Sequence, residues 1–166
     1  VADSTFFRSI RAELTVAAVI ERHGRYMLVE ERVGGRLVLN QPAGHVEAGE
    51  SLATAVVRET LEETAWTFVP EATVGVYLWG PAGGRNHFLR VAFAGRCVAH
   101  DARRQLDDGI ERVLWLTRAE LLAREAQLRS PMVLRAVDDY ESGTRYPVDL
   151  LQDLAPDQLA RRAAIL

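Results

Sequence analysis

The sequence predicts an α/β domain in which a mixed sheet is covered by helices on both sides. Three observations carry that expectation. Short runs rich in β-branched and aromatic residues, separated by turn residues, occupy 14–39 and again 74–116. The stretch Ser51–Thr64, free of Gly and Pro, stands between the two groups, and two further helical stretches follow. The resulting order β-β-β-α-β-β-β-α-α belongs to layered folds built on one core. At 166 residues, with 48% hydrophobic and 26% charged residues, the chain is long enough for one domain with a substantial core.

Taken in order, residues 1–12 read as an arm ahead of the domain, with Phe6, Phe7 and Ile10 available to dock. Leu14–Ile20 reads as a buried strand, and His23-Gly24 turns it into a second, Arg25–Glu31, as a hairpin. Gly34-Gly35 turns the chain again into a strand at Leu37–Leu39. Gly44–Gly49 is expected as a loop, because glycine at both ends lets the backbone turn sharply and approach a ligand closely. After the central helix a strand is expected at Val74–Trp79, then an irregular loop at Gly80–Gly84. Phe88–Val98 alternates as a half-buried strand should, and a short strand follows at Val113–Leu116. Thr117 and Glu120 form a capping box for a helix of about three turns. Ser130-Pro131, as N-cap and first helical residue, starts another that ends near Ser142-Gly143. The domain is thus expected over 13–150. Within a tail at 151–166, Pro156–Leu166 has the pattern of a short amphipathic helix.

The central helix carries the chemistry. Glu59, Glu62 and Glu63 stand at i, i+3 and i+4, so one helix face presents all three carboxylates. Like charges at that spacing repel, and the cluster becomes favourable when a hard divalent cation, which prefers carboxylate and phosphate oxygens, sits on it. Leu52, Ala55, Val56 and Thr60 supply the opposite stripe for packing on a sheet. Arg58 lies beside the acidic face and can pair with Glu50, tying the preceding loop to the helix.

Composition removes competing chemistries. The net charge of −3 makes nucleic acid an unlikely main partner. All 20 basic residues are arginine, so no lysine nucleophile or Schiff base is available. The single Cys97 excludes an internal disulfide and fits a reducing cytoplasm, where the protein is expected. No apolar run is long enough for a membrane span and no signal peptide is apparent. Neither a phosphate-cradling Gly-Lys loop nor a serine-hydrolase elbow is found.

The spacing Gly44, Glu50, Arg58, Glu59, Glu62, Glu63, Trp66 closely resembles the signature box of the Nudix hydrolases. Two positions depart: Thr60 replaces an aliphatic residue, and Ala65 replaces the glycine that ends the helix. A left-handed residue there costs alanine about 1 kcal/mol relative to glycine. The resemblance implies an α/β/α sandwich with a loop–helix–loop catalytic motif, and hydrolysis of a nucleoside diphosphate linked to another moiety. Mg2+, with Mn2+ as an alternative, is the implied cofactor, and a small phosphorylated molecule the implied partner. Glu59, Glu62 and Glu63 inherit the metal-ligand role, with the carbonyl of Ala43 or Gly44 as a further ligand and Glu47 as a helper. Glu62, Glu63 and Arg58 belong to the implied catalytic set, Arg58 with Glu50 being structural. Family members often add an acid from a late loop; Asp107, Asp108 and Glu111, ahead of Trp115, are the candidates.

For substrate, Trp79 or Phe88 could stack a flat ring, while Tyr77 and Asn86 fall near the same strand ends. Arg90 or Arg36 could hold phosphate, and His45 could touch it. Outside the box, Asn40–His45, Leu128–Pro131 and the segment Tyr140–Pro147 resemble a bacterial phosphatase branch of the family, over about Leu14–Leu150. That branch implies release of phosphate from nucleoside tri- and diphosphates and hydrolysis of hydroxymethylpyrimidine pyrophosphate, a thiamine precursor. Two other readings stay open: a pyrophosphohydrolase for a nucleotide sugar, dinucleoside polyphosphate or oxidised nucleotide, and a non-catalytic nucleotide sensor. Monomer and homodimer are both compatible with the sequence.

Overall fold

A computed structural model describes residues 10–83, 86–152 and 154. Its strands are β1 Ala12–Arg22, β2 Arg25–Val33, β3 Arg36–Asn40, β4 Ala43–His45, β5 Trp66–Trp79, β6 His87–His100 and β7 Ile110–Leu116. Its helices are α1 Leu52–Thr64, α2 Arg118–Leu122 and α3 Met132–Glu141, with a short 3₁₀ turn at Glu125–Gln127. The main strand order is β3-β2-β1-β6-β5, with β4 paired to β1 and β7 to β2. The β1–β6 pair is parallel and the other pairs are antiparallel, so the sheet is mixed.

Side-chain alternation along β1 builds the layers. Val16, Ala18 and Ile20 face one core with Ala55 and Val56 of α1 and with Val91 and Phe93 of β6. Val19 faces the other, with Leu121 of α2, Val133, Ala136 and Val137 of α3, and Ala92 and Ala94 of β6. Thr15–Ile20 are therefore all buried, as expected for a strand covered on both faces. The same double cover buries Arg90–Ala94, so the half-buried alternation expected for β6 survives only toward its C-terminal end. Cys97 lies against the α1-side core as a free thiol, and burial pushes it up to about 11, which fits a structural role.

Four local expectations change. A strand, β4, occupies part of the anticipated Gly44–Gly49 loop, pairing Thr15 with His45 and Val16 with Gly44. β5 begins at Trp66, eight residues earlier than Val74, although Pro70 lies within it. Proline is tolerated because β5 is an edge strand and its register shifts at Pro70/Ala72. The capping box of Thr117 and Glu120 forms, but α2 has 5 residues and does not reach three turns. The chain is drawn away as Leu128 pairs with Leu39 and the Arg129 N–H donates to the Leu39 carbonyl. Finally, Ser130 does not cap α3 through its side chain; Pro131 occupies the cap position, and the Ser130 hydroxyl is buried without a partner.

The motif at the end of the domain acts as a clasp. Arg145 lies 3.9 Å over the Tyr140 ring, Tyr146 exchanges backbone hydrogen bonds with Thr73, and the Thr73 hydroxyl donates to the Pro147 carbonyl. The expected docking of Phe6 and Phe7, and the helix at Pro156–Leu166, lie outside the described residues. Among the described residues no helix is long and apolar enough to cross a membrane.

Candidate active site

Ser51 starts α1 with extended backbone, accepting from the Thr54 N–H. The helix ends at Ala65, which adopts the left-handed conformation (φ 60°, ψ 13°) that its sequence position foreshadowed. Between these caps the apolar stripe is anchored in the core, with Ala55, Val56 and Thr60 fully buried. That seating aims the three glutamates at β4 and at the loop ahead of β7.

Glu63 is 8% exposed, and its Oε2 accepts the Ala43 N–H at 2.9 Å. Burial pushes its carboxyl up to about 8; the Ala43 hydrogen bond opposes this, and the charges of Glu59, Glu31 and Asp107 add to it. Burial also raises the Glu59 carboxyl, against the pull of Arg58 and with the push of Glu62 and Asp107. The Glu59 carboxylate lies directly over Gly44, in the space a side chain there would fill, so only glycine permits this approach. Asp107 joins the cluster through its backbone, donating to the Glu62 carbonyl at 3.1 Å.

Arg58 meets Glu50, Glu59 and Glu62 at contact distance. Arg58 donates to Glu50 Oε1 at 2.6 Å and Oε2 at 3.1 Å, to Glu59 at 2.8 Å and to Glu62 at 3.0 Å. It also donates to the His45 carbonyl at 2.9 Å, binding β4, the following loop and the helix into one unit. Its hydrogen bonds hold the Glu50 carboxyl below the usual range. Glu50 in turn accepts the Glu47 N–H, which closes the loop.

Hard carboxylate oxygens concentrated beside the Gly44 backbone form a donor set that fits a hard divalent cation. As the side chains stand, Glu59 and Glu62 turn toward Arg58, and no group of three acidic, His or Cys side chains among the described residues converges at metal-ligand spacing. Each gives Arg58 one carboxylate oxygen, Glu59 its Oε1 and Glu62 its Oε2.

Beside the cluster, against the opposite face of the sheet, is a cavity of about 180 Å³. Ala43 and Gly44 form one side of it, while Trp79 and Phe88 form an aromatic wall with ring centroids 6.1 Å apart. Arg90 and Ser130 line it as well.

Residues 11–136 match the NUDIX domain family profile. The chain belongs to the Nudix hydrolases. It is 35% identical over 143 residues to phosphatase NudJ of Escherichia coli K12, an alignment spanning 86% of this chain and 92% of that protein. The same identity and coverage relate it to phosphatase NudJ of Shigella sonnei. A solved NUDIX hydrolase from Nitrosomonas europaea superposes with a TM-score of 0.83 at 46% identity, over 86% of this chain and 97% of that one. The fold alone is shared with a MutT NUDIX hydrolase from Burkholderia pseudomallei, at TM-score 0.66 and 20% identity. This chain is accordingly a phosphatase or pyrophosphatase of a family that generally uses divalent metal ions.

In this Nudix hydrolase the candidate residues separate into groups. Gly44, Arg58, Glu59, Glu62 and Glu63 come together at the helix, while Trp79, Phe88, Arg90 and His45 border the cavity. His45 is turned to Glu13 at 2.6 Å. Tyr77 points to α3, donating to Asp139 at 2.9 Å, and Asn86 is exposed ahead of β6. Arg36 starts β3 at the hairpin end, four residues from the cavity-lining Asn40, and is exposed. Glu111 is held by Arg32 at 2.8 Å on an exposed part of β7, whereas Asp107 is the late-loop acid whose charge acts on Glu59 and Glu63.

Sequence reasoning did not single out Thr15, Glu31 or Met132 as site residues. Asn40, Arg129 and Ser130 stood inside the branch-specific motifs, which were the available signal for them.

Proposed function

We propose that this Nudix hydrolase is a Mg2+-dependent phosphatase acting on nucleoside tri- and diphosphates and on thiamine-related pyrimidine pyrophosphates. The observation that carries the reading is the meeting of the Glu59/Glu62/Glu63 face with Gly44 at the mouth of a small cavity walled by Trp79 and Phe88. The identity to phosphatase NudJ over most of both chains supports the phosphatase reading.

Glu59, Glu62 and Glu63, with the Gly44 carbonyl, would hold the ion. When bound, Mg2+ (or Mn2+) neutralises phosphate oxygens and lowers the pKa of a bound water. The chain's own part is to place and deprotonate. Arg58 fixes the loop from His45 to Glu50 against α1, so that the Gly44 backbone and the three carboxylates keep one relative position. Water adds to phosphorus, the anhydride P–O bond breaks, and the water's proton passes to a carboxylate of this cluster. Asp107, near enough for its charge to act on Glu59 and Glu63, is a stronger candidate for that step than Glu111, which Arg32 occupies.

Phosphate release with Mg2+ over nucleotides and hydroxymethylpyrimidine pyrophosphate is the direct test. Turnover of these substrates, abolished by EDTA and restored by Mg2+, is expected. Absence of turnover across the panel by the wild-type protein overturns the reading.

A further inference from the structure

The cavity contains an electrostatic anomaly. Arg90 is 6% exposed, yet among the described residues no carboxylate lies within ion-pair distance of it. Its one direct side-chain bond runs from Nη1 to Asn40 Oδ1 at 3.1 Å, and its Nε is buried without a partner. Burial lowers its pKa to about 10, with Arg129 adding to the effect and Glu31 and Glu63 opposing it. The hydroxyls of Thr15 and Ser130, which line the same cavity, are also buried and unpaired. A buried charge without a partner and three unmet polar atoms are costly for a domain to keep, so such groups call for an explanation.

The surroundings hold the guanidinium in place. Asn40 accepts from Arg90 through its oxygen and donates through its nitrogen to Glu31 Oε1 at 3.2 Å. Glu31 is engaged on its other oxygen by Arg129 at 3.4 Å. The acid that acts most on Arg90 is thus already committed, and Arg90 remains a pure donor facing the cavity. In the sheet, β1 stands between β4 and β6: Thr15 pairs with His45 on one side and with Arg90 on the other. Arg90 is therefore a strand away from the Gly44 end and next to Phe88, on the aromatic side.

We infer that Arg90, held by Asn40, is a specificity-determining residue that donates a hydrogen bond to an acceptor, a carbonyl oxygen or an unprotonated ring nitrogen, on the edge of a substrate ring stacked at Trp79 and Phe88. Thr15 and Ser130 complete the polar rim, since a hydroxyl can donate or accept to suit the ring. A site built around unmet donors rejects a ring that lacks acceptors, because binding it leaves those donors dry and unpaired. The inference rests on the proposed hydrolysis of ring-bearing pyrophosphates and assigns Arg90 to the ring instead of the phosphate.

The test compares hydroxymethylpyrimidine pyrophosphate with benzyl pyrophosphate, a six-membered ring of similar size without acceptors. For the wild type, kcat/KM is expected to favour the pyrimidine by roughly 10- to 100-fold, the range of one hydrogen bond to a charged donor. Arg90→Met should lower the pyrimidine value by that factor more than the benzyl value, mainly through KM. Its melting temperature should be equal or higher, since an unpaired buried charge is replaced by an apolar chain of similar length. Arg90→Lys, which keeps charge but loses the planar fork, should shift the preference in the same direction and serves if Arg90→Met does not fold. Equal losses on both substrates in the variants, or a wild type that does not distinguish them, overturns the inference while the proposed hydrolysis stands. A wild type inactive on both, and on the nucleotides, removes the proposed function itself.

Discussion

The acidic face of α1 and the polar floor of the cavity are both out of electrostatic balance, in opposite senses. On α1, three glutamates crowd one face with Asp107 close by, and Arg58 is the cation in contact with Glu59 and Glu62. In the cavity, Arg90 is buried with no acid at ion-pair distance among the described residues. The first imbalance is eased internally, because Arg58 reaches Glu50, Glu59, Glu62 and the His45 carbonyl together. The second is left open. An excess of carboxylate oxygens suits a metal ion that would carry the phosphate, and an excess of donors suits a ring with acceptors, so on the proposed reading the pair serves the two halves of a substrate.

The largest effect should come from removing a carboxylate. Glu63→Gln keeps the size of the side chain and is expected to lower kcat by roughly 10²- to 10⁴-fold in the phosphate-release assay. Full activity in that variant would break the division of labour between helix and cavity. Arg58→Met should follow. It is expected to lower activity by roughly 10- to 100-fold, the usual effect of losing a residue that orients ligands. Without Arg58, the carboxylates have no contact cation, so thermal melting should become more sensitive to added Mg2+ than in the wild type. A melting curve of this variant that ignores Mg2+ would mean that the acids do not meet an ion.

Gly44→Ala probes the same half more gently, by forcing the Glu59 carboxylate off the backbone. A Mg2+ titration of activity should move to higher concentration by roughly 10-fold, with β4 still formed. An unchanged titration would detach Gly44 from the ion. The smallest effect is expected at Ala65. Glycine there relieves about 1 kcal/mol of left-handed strain. It also removes a methyl group that is 3% exposed, worth about 0.8 kcal/mol, so the denaturation midpoint should move by less than about 1 kcal/mol. A large loss of stability would show that packing at this residue outweighs backbone conformation.

The two halves also differ in how far they could be read from the chain. Glu62 and Glu63 lie about one helical turn from Glu59, so periodicity alone puts all three on one face, and the Arg58–Glu50 pair spans only eight residues between the loop and the helix. Even the left-handed Ala65 was foreshadowed by its place just past the helix end. The cavity draws on β1, β2, β3, β6 and the segment before α3, and nothing local relates Thr15, Glu31, Asn40, Arg90 and Ser130. Arg90 was a candidate phosphate holder in an alternating strand; the double cover of β6 is what buries it. Ser130 looked like a helix cap, and its hydroxyl is instead an unpaired group at the cavity.

By itself, then, the sequence determined the order of elements apart from β4, the acidic helix face and the family, because each depends on contacts a few residues apart or on a fixed spacing. Tertiary structure alone decided that β4 pairs with β1, that β5 can carry Pro70 at a sheet edge, and that Arg90 faces the cavity with no acid at ion-pair distance among the described residues. Those outcomes depend on which strands become neighbours and which faces the helices cover. A charge meets or misses its counter-charge only after the sheet has brought distant segments together.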